Sequence, residues 1–332
     1  MKANGFGPPV IAIDLGGTKI AAGVVSGDLK ILARENGYTD AGSGVDAVVE
    51  RIVGLCRRLA ERLVMNMSQM GGVSIAACGA IEPARGLVVF SPNLPGWCNI
   101  PLRDMVAERL GAGAMLINDA NAAALGELHL GAGRGKKEMI YLSLGTGIGG
   151  AIIIDGKLYT GSAGSAGEVG HMTLNTGGRR CNCGNTGCLE TLASGTAIAR
   201  DAIDRIAGGA CSSLTKMVGG RLENIDAEKV AIAARTGDPV ALDVIHQAAF
   251  YLGLGMVNLV NIFNPEVIVV GGGVAGMGEM LLGPARKMVT ERAFPTSAES
   301  VSVVASQLGN DVGIIGAAVF ALQRTDTGEK AV

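Results

Sequence analysis

The chain has 332 residues with 28 Lys or Arg and 30 Asp or Glu, a formal net charge of −2 that argues against a nucleic-acid partner, which requires a basic excess. It is 48% hydrophobic and 17% charged, which excludes a disordered chain, and its length predicts about two domains. Because no apolar run approaches a membrane span and residues 1–9 lack the apolar segment of a signal peptide, we expect a cytoplasmic enzyme without a membrane partner.

Hydrophobic patterning predicts an α/β organisation in the first part of the chain. The predicted elements are strands at 10–14 and 20–26 joined by a Gly turn, a helix at 46–65, a strand at 73–77, and a strand at 114–117 that leads into a helix.

The opening pattern recurs in the second half of the chain. Residues 11–25 (IAIDLGGTKIAAGVV) and 140–154 (IYLSLGTGIGGAIII) both read as strand, Gly-rich hairpin, strand. This similarity predicts a duplicated α/β unit with a cleft between the copies. The second copy continues with predicted helices at 227–234 and 239–263, a strand at 266–270, a helix from about 277, a strand at 301–305 and a helix at about 312–323.

Both hairpins are candidate phosphate loops. In Asp14-Leu15-Gly16-Gly17-Thr18-Lys19 the glycines let backbone N–H groups approach an anion, and the last two residues add a hydroxyl and a charge. The spacing is not that of a Walker A loop. The second candidate is Gly145-Thr146-Gly147. Plain β-hairpins with glycine turns are the alternative.

Asn118 and Asp119 follow a predicted strand directly. A carboxylate in that place can act as general base toward a hydroxyl nucleophile, as phosphoryl transfer requires. The alternative is a helix cap.

Three of the seven cysteines crowd into Cys181–Cys188, where the order is His171, nine residues, Cys181, one residue, Cys183, four residues, Cys188. One imidazole and three thiolates form a closed tetrahedral zinc shell. Three reduced thiols in a loop are the alternative. Glu168 and Glu190 flank this segment.

A rival motif lies further on. Residues 271–276 (GGGVAG) follow a predicted strand and match GxGxxG, which favours a dinucleotide-dependent oxidoreductase. That reading leaves barely sixty residues for the domain, and it gives no role to the two hairpins or to the cysteine loop.

The motifs resemble those of the ROK family, specifically its bacterial glucokinase-type members. They are DLGGTK at 14–19, SPNLPGW at 91–97, NDANAAALGE at 118–127, LGTGIGG at 144–150, GEVGH at 167–171 and CNCGNTGCLE at 181–190. The resemblance implies the actin-like ATPase fold, two ribonuclease-H-like α/β lobes around a cleft. It also implies ATP-dependent phosphorylation of a hexose at its 6-hydroxyl.

The resemblance further implies a role for each matched residue. Asp119 is the catalytic base, which also contacts the sugar, and the other sugar ligands are Asn93, Asn118, Glu168, His171 and Glu190. A structural Zn²⁺ is bound by His171, Cys181, Cys183 and Cys188. ATP is bound by Gly16, Gly17, Thr18, Lys19, Gly145, Thr146, Gly147, Gly271 and Gly272, with Asp14 on the Mg²⁺ side.

We therefore expect an ATP:hexose 6-phosphotransferase that uses glucose. The alternatives are a kinase of another hexose or an N-acetylhexosamine, and the oxidoreductase above. We expect a small lobe at 1–118 completed by the helix at about 312–323, a large lobe at 119–311 with the zinc loop 171–190, and a homodimer or homotetramer. Because the first phosphate loop starts at residue 14, we expect no helix-turn-helix of the kind that ROK repressors carry.

Overall fold

A computed structural model describes residues 7–326 of the chain; most of the segment in which we expect no signal peptide lies outside this range. Within it there are thirteen strands: β1 (Val10–Leu15), β2 (Lys19–Val25), β3 (Ile31–Tyr38), β4 (Val73–Ala77), β5 (Ala80–Glu82), β6 (Leu87–Phe90), β7 (Cys98–Ile100), β8 (Ala114–Asn118), β9 (Met139–Leu144), β10 (Ile148–Ile154), β11 (Lys157–Tyr159), β12 (Val267–Gly271) and β13 (Ser302–Ala305).

The same residues form eleven α-helices: α1 (Val45–Arg62), α2 (Leu102–Leu110), α3 (Asp119–Leu130), α4 (Glu190–Ala193), α5 (Gly195–Ala207), α6 (Ser213–Met217), α7 (Ala227–Arg235), α8 (Pro239–Phe263), α9 (Glu279–Arg292), α10 (Pro295–Ser300) and α11 (Val312–Asp326).

The chain divides into two compact units. The first holds residues up to Gly135, Leu158–Ala166 and the segment from Gln307 onward; the second holds Lys136–Lys157 and Gly167–Ser306. The first unit thus extends past the expected boundary at residue 118, because α3 packs along α11 and stays with it. The helices approach closely enough that a Cβ at residue 316 would collide with backbone of α3.

The first unit is built on a five-stranded sheet of order β3-β2-β1-β4-β8. Strands β1, β2 and β3 are antiparallel neighbours, whereas β4 and β8 run parallel to β1. The register places Asp14 opposite Ala76 and Asn118 opposite Ala77. Both polar residues therefore end up at the carboxyl edge of parallel strands, where ligands bind in open α/β sheets.

The second unit repeats this topology. Its strands follow one another in the order β10-β9-β12-β13, with β9 antiparallel to β10 and parallel to β12, which is parallel to β13. The hairpin β9–β10 thus occupies the place that β1–β2 occupies in the first unit. The duplication predicted from the two Gly hairpins is present in the strand order.

Helix α8 forms much of the core of the second unit. By length and composition it is the one helix in residues 7–326 that could cross a membrane, but 61% of its most apolar window is buried within the protein. Leu252, Met256 and Val260 are buried. Asp238 caps its first turn and Asn264 ends it in a left-handed conformation. These features assign α8 to the core.

Candidate active site and metal centre

Thr39, a fully buried residue directly after β3, supports the turn of the first hairpin through two hydrogen bonds. Its hydroxyl donates to the carbonyl oxygen of Gly16 at 2.6 Å, and its backbone N–H donates to that of Thr18 at 2.9 Å. The turn closes with a hydrogen bond from the Gly16 N–H to the Lys19 carbonyl oxygen. The side chains of Thr18 and Lys19 stay exposed, available to an anion.

Asn93 lies directly against this turn. A Cβ on Gly17 would lie 2.6 Å from the carbonyl oxygen of Asn93, so only glycine permits the approach. The loop that carries Asn93 starts at the buried Ser91, whose hydroxyl lies 3.4 Å from the Sγ of Cys78. The structure therefore brings a predicted sugar ligand and a predicted phosphate loop together.

Asp14 is half-buried beside the first turn of α11, where a Cβ on Gly313 would collide with its carboxylate. Burial raises the pKa of Asp14, and the charges of Lys19 and Arg34 act in the opposite direction. The positive end of the helix dipole also favours an anion there. A carboxylate in such a place gains from a nearby cation, which fits a Mg²⁺-side residue.

Asn118, not Asp119, caps helix α3. Its Oδ1 accepts from the N–H of Asn121 at 3.1 Å, and its Nδ2 donates to the carbonyl oxygen of Gly79 at 3.1 Å. The Oδ1 of Asp119 accepts from the N–H of Ala120 at 2.9 Å. The capping role that the sequence left open for Asp119 thus belongs to its neighbour.

Cys78, directly after β4, is a buried cysteine on which the charges of two predicted site carboxylates act. Burial raises the pKa of the Cys78 thiol to about 11, to which the charges of Asp119 and Asp14 also contribute. The thiol therefore stays protonated at neutral pH. Sequence reasoning missed this residue, because a cysteine after a buried strand carries no motif.

The second hairpin is braced in a different way. Its turn closes with a hydrogen bond from Gly145 N–H to the Gly147 carbonyl oxygen. The start of α5 supports it, because the N–H of Gly195 donates to the Gly145 carbonyl oxygen at 2.8 Å and the Thr196 hydroxyl donates to that of Thr146 at 2.8 Å.

A cavity of about 960 Å³ opens beside this hairpin within the second unit. Gly145 and Thr146 form part of its wall. The other lining residues include Thr196, Ala231, Ile232, Arg235, Gly273, Val274 and Met277; of these, only Gly273 and Val274 belong to a motif that the sequence had singled out, the GxGxxG match. They come from α5, α7 and the turn after β12. The sequence does not reveal the helical ones, because the apolar residues of a helix show the same pattern whether they face a core or a cavity.

Gly271 and Gly272 lie against β9 rather than on this wall. Side chains there would collide with the Tyr141 hydroxyl and with the Leu144 carbonyl oxygen, respectively. The GxGxxG segment continues as a 3₁₀ turn over Gly273–Met277 before α9 begins. It therefore does not open a helix as the dinucleotide fingerprint requires.

The predicted zinc ligands form one cluster. The Nδ1 of His171 lies 3.6 Å from the Sγ of Cys181, the Sγ atoms of Cys183 and Cys188 are 3.7 Å apart, and all four ligand atoms lie within 4.8 Å of one another. Tetrahedral Zn²⁺ with Zn–S bonds of about 2.3 Å separates its sulfurs by about 3.8 Å. The donor set and the spacings therefore fit zinc.

Both flanking glutamates touch this cluster. The Nε2 of His171, on the ring edge away from the cysteines, lies 3.8 Å from the Oε2 of Glu168. The Oε1 of Glu190 lies 3.8 Å from the Sγ of Cys181. Burial raises the pKa of Cys188 to about 12, so a bound metal would have to displace its proton.

The predicted site residues thus form two sets, one in each unit. The first unit brings together Asp14, Gly16, Gly17, Thr18, Lys19, Asn93, Asn118 and Asp119. The second holds Gly145, Thr146, Gly147, Glu168, His171, Cys181, Cys183, Cys188, Glu190, Gly271 and Gly272.

Two sheets of the same order, each with a Gly hairpin after its first strand, define an α/β protein of the actin-like ATPase fold. The ROK family model matches residues 10–324, and the chain belongs to the ROK family.

Its relatives include enzymes of known activity. The chain is 40% identical over 317 residues to a glucokinase of Thermotoga maritima, covering 95% of this chain and 98% of the relative. It is 36% identical to a glucokinase of Halalkalibacterium halodurans, covering 96% and 97%. A solved ROK family glucokinase from Streptomyces griseus, in complex with glucose and AMPPNP, is 37% identical with a TM-score of 0.82, covering 95% and 99%.

Proposed function

We propose that this protein catalyses the ATP-dependent phosphorylation of glucose to glucose 6-phosphate. The observation that carries the proposal is the similarity along nearly the whole chain to a glucokinase solved with glucose and AMPPNP. The fixed position of Asp119 in the first unit and the support of the Gly hairpin within each unit agree with the same chemistry.

Asp119 is the proposed general base. A sugar hydroxyl is a poor nucleophile, and a carboxylate that accepts its proton as the phosphoryl group arrives lowers the barrier. Asn118 holds α3 through its cap and its bond to Gly79, which fixes the backbone that carries Asp119. Asn118 would therefore serve the sugar site in two ways, by fixing the position of Asp119 and by the proposed contact with the sugar.

The two hairpins are the proposed phosphate loops. Backbone N–H groups of Gly17 and Gly147, with the exposed Thr18 and Lys19, offer donors to phosphate oxygens. Asp14 would hold Mg²⁺, which supplies charge neutralisation on the phosphates when bound. The cavity beside Gly145 has room for a nucleoside, and we propose that the base of ATP occupies it.

The sugar is the proposed ligand of the remaining polar residues. Carboxylates accept hydrogen bonds from hydroxyl groups, and Glu168 and Glu190 lie on either side of the zinc cluster. His171 would bind zinc through Nδ1, which leaves Nε2 to donate toward the sugar. Asn93 and Asn118 complete the set.

Zinc is the proposed structural metal of the loop 171–190. Four protein ligands leave no open position, so the metal would not act on the phosphates. It would instead fix the ring of His171 and the direction of both flanking glutamates.

We also propose a role in glycolysis, a cytoplasmic location, and a homodimer or homotetramer. Kinases of another hexose or of an N-acetylhexosamine remain the alternative, since carboxylates and amides serve the hydroxyls of several sugars. No feature of the fold favours the oxidoreductase.

A coupled assay for ADP tests the function. Purified protein with ATP and Mg²⁺ should release ADP only when glucose is present, and phosphorus NMR should identify glucose 6-phosphate. Mannose, fructose, N-acetylglucosamine and N-acetylmannosamine are assayed in parallel. A higher kcat/KM for one of these sugars would replace glucose as the substrate, and ADP release independent of any sugar would refute the proposal.

A further inference from the structure

The chain runs directly from the metal cluster to the second phosphate loop. Cys188 is the last predicted zinc ligand, and Glu190 stands two residues after it at the start of α4. The Oε2 of Glu190 accepts a hydrogen bond from the N–H of Ile148 at 2.9 Å, at the exit of the Gly145–Gly147 turn. A Cβ on Gly147 would collide with the same carboxylate, so the side chain lies flat against the turn.

The other carboxylate oxygen of Glu190 faces the cluster. Oε1 lies 3.8 Å from the Sγ of Cys181. One half-buried side chain therefore touches both the metal cluster and the hairpin, one oxygen on each.

The opposite end of the zinc loop packs on the same strand. A Cβ on Gly170, next to the ligand His171, would collide with the carbonyl oxygen of Ile148. A Cβ on Gly150 would likewise collide with the side chain of Val169 and the carbonyl oxygen of Gly167. The start of β10 is thus enclosed by the two segments that carry the outermost metal ligands.

We infer that Glu190 is a positioning residue for the nucleotide as well as a sugar ligand, and that metal occupancy sets the affinity for ATP and ADP. This inference rests on the proposed function, because it takes the hairpin as a phosphate loop and the cluster as a zinc site. Without metal, the zinc loop 171–190 loses the bonds from its four ligands to the metal. Glu190 then loses its fixed direction, and the Ile148 N–H loses its acceptor. The turn before it becomes less ordered, and ordering it on binding costs nucleotide affinity.

The test measures nucleotide binding without sugar, so that the sugar contact of Glu190 plays no part. Calorimetric Kd values for ADP and zinc content by elemental analysis are compared for wild type, Cys183→Ser, Glu190→Ala and Glu190→Gln. Glu299→Ala, at an exposed glutamate of α10, is the matched control.

We expect one zinc per wild-type chain. Cys183→Ser should lose zinc and raise the Kd for ADP about tenfold, the effect of one lost hydrogen bond to a charged acceptor. Glu190→Ala should keep zinc and raise the Kd by a similar factor. Glu190→Gln should stay near wild type, because its amide oxygen still accepts from Ile148. The double variant Cys183→Ser/Glu190→Ala should be no weaker than either single variant, since both break one connection.

Several results would overturn the inference. These are a zinc-free wild type, a zinc-free Cys183→Ser that binds ADP within twofold of wild type, or a zinc-loaded Glu190→Ala that does so. If Cys183→Ser does not fold, the two Glu190 variants decide. Glucose-dependent ADP release by the wild type is recorded on the same preparation. Its absence would refute the proposed function even if ADP affinity follows zinc, so the two failures are distinguishable.

Discussion

The side-chain amide of Asn118 donates to the carbonyl oxygen of Gly79, 39 positions earlier in the chain, at 3.1 Å. The same side chain caps α3 through its Oδ1. It thus connects the end of β4 to the first turn of the helix that carries Asp119, so the position of the carboxylate that we propose as the catalytic base is fixed by its neighbour.

Asp119→Asn should abolish most of the chemistry and spare binding. The amide keeps the shape of the side chain but cannot accept the hydroxyl proton, and loss of a general base typically lowers kcat by about 10²–10⁴. Turnover and the Kd for glucose are measured on one preparation. Asp104→Asn, on the surface of α2, is the control and should match wild type. Turnover within a few-fold of wild type would exclude Asp119 as the base.

Thr39→Val should weaken nucleotide use selectively. The substitution removes the hydroxyl that donates to Gly16 and leaves that carbonyl oxygen without this donor, so we expect the KM for ATP to rise about tenfold. The KM for glucose should change less than twofold. Thr39→Ser keeps the hydroxyl and should restore the KM for ATP. An equal rise of both KM values would show that Thr39 stabilises the unit as a whole.

Gly316→Ala should destabilise the first unit. The added methyl would collide with the carbonyl oxygen of Ala122 across the α3–α11 contact, and overpacking of this kind costs about 1–3 kcal/mol. Trp97, the single tryptophan, is buried in the first unit, so its fluorescence during urea unfolding reports on that unit. Gly42→Ala, where a methyl meets open space, should change stability by less than about 0.5 kcal/mol. Equal unfolding midpoints for the two variants would contradict the close packing.

Asp238→Asn should destabilise the second unit in a pH-dependent way. Burial raises the pKa of Asp238, but donors on Ala241, Ser213 and Ser212 outweigh it, so the pKa lies below its ordinary value of 3.8. A carboxylate with a lowered folded-state pKa adds stability above pH 3.8 and loses that contribution as pH falls through the folded-state pKa.

The expected loss in Asp238→Asn is about 1–2 kcal/mol at pH 7, the usual cost of a weakened helix cap. This stability difference between wild type and Asp238→Asn should shrink as the pH falls and wild-type Asp238 becomes protonated. Urea unfolding followed by circular dichroism from pH 7 down to pH 2 measures the difference. A difference that stays constant over this range would contradict the role of the ionised carboxylate.

Elements that repeat an apolar period over many residues could be predicted from the sequence. The predicted helix at 46–65 is observed at Val45–Arg62 and that at 239–263 at its predicted ends, because each buries one face or most of its surface in a core. The strand Ile31–Tyr38 was not predicted, since most of its residues are half-buried or exposed and carry no clear alternation. The strands of the small sheet β5-β6-β7 have only three or four residues each, too few for a period.

Within the candidate site, contacts between residues close together in sequence could be predicted, whereas contacts between residues far apart in sequence could not. The zinc ligands span eighteen positions of one loop, and their spacing alone predicts a cluster that the structure brings together. The support of Gly16 by Thr39 and of Ile148 by Glu190 crosses 23 and 42 positions, respectively. Thr39 carries no motif, and Glu190 was predicted only as a sugar ligand. Such bonds depend on register between strands, which patterning does not give.

During synthesis, the first unit cannot complete its packing until helix α11 has been made. The strands of its sheet leave the ribosome before the second unit, but the helix that covers β1 and β4 and packs on α3 follows the second unit. The second unit ends at Ser306, before α11 begins at Val312. The side of the sheet that α11 covers therefore stays open in the nascent chain until this helix has been made, and its exposure to chaperones or to aggregation ends only when α11 docks.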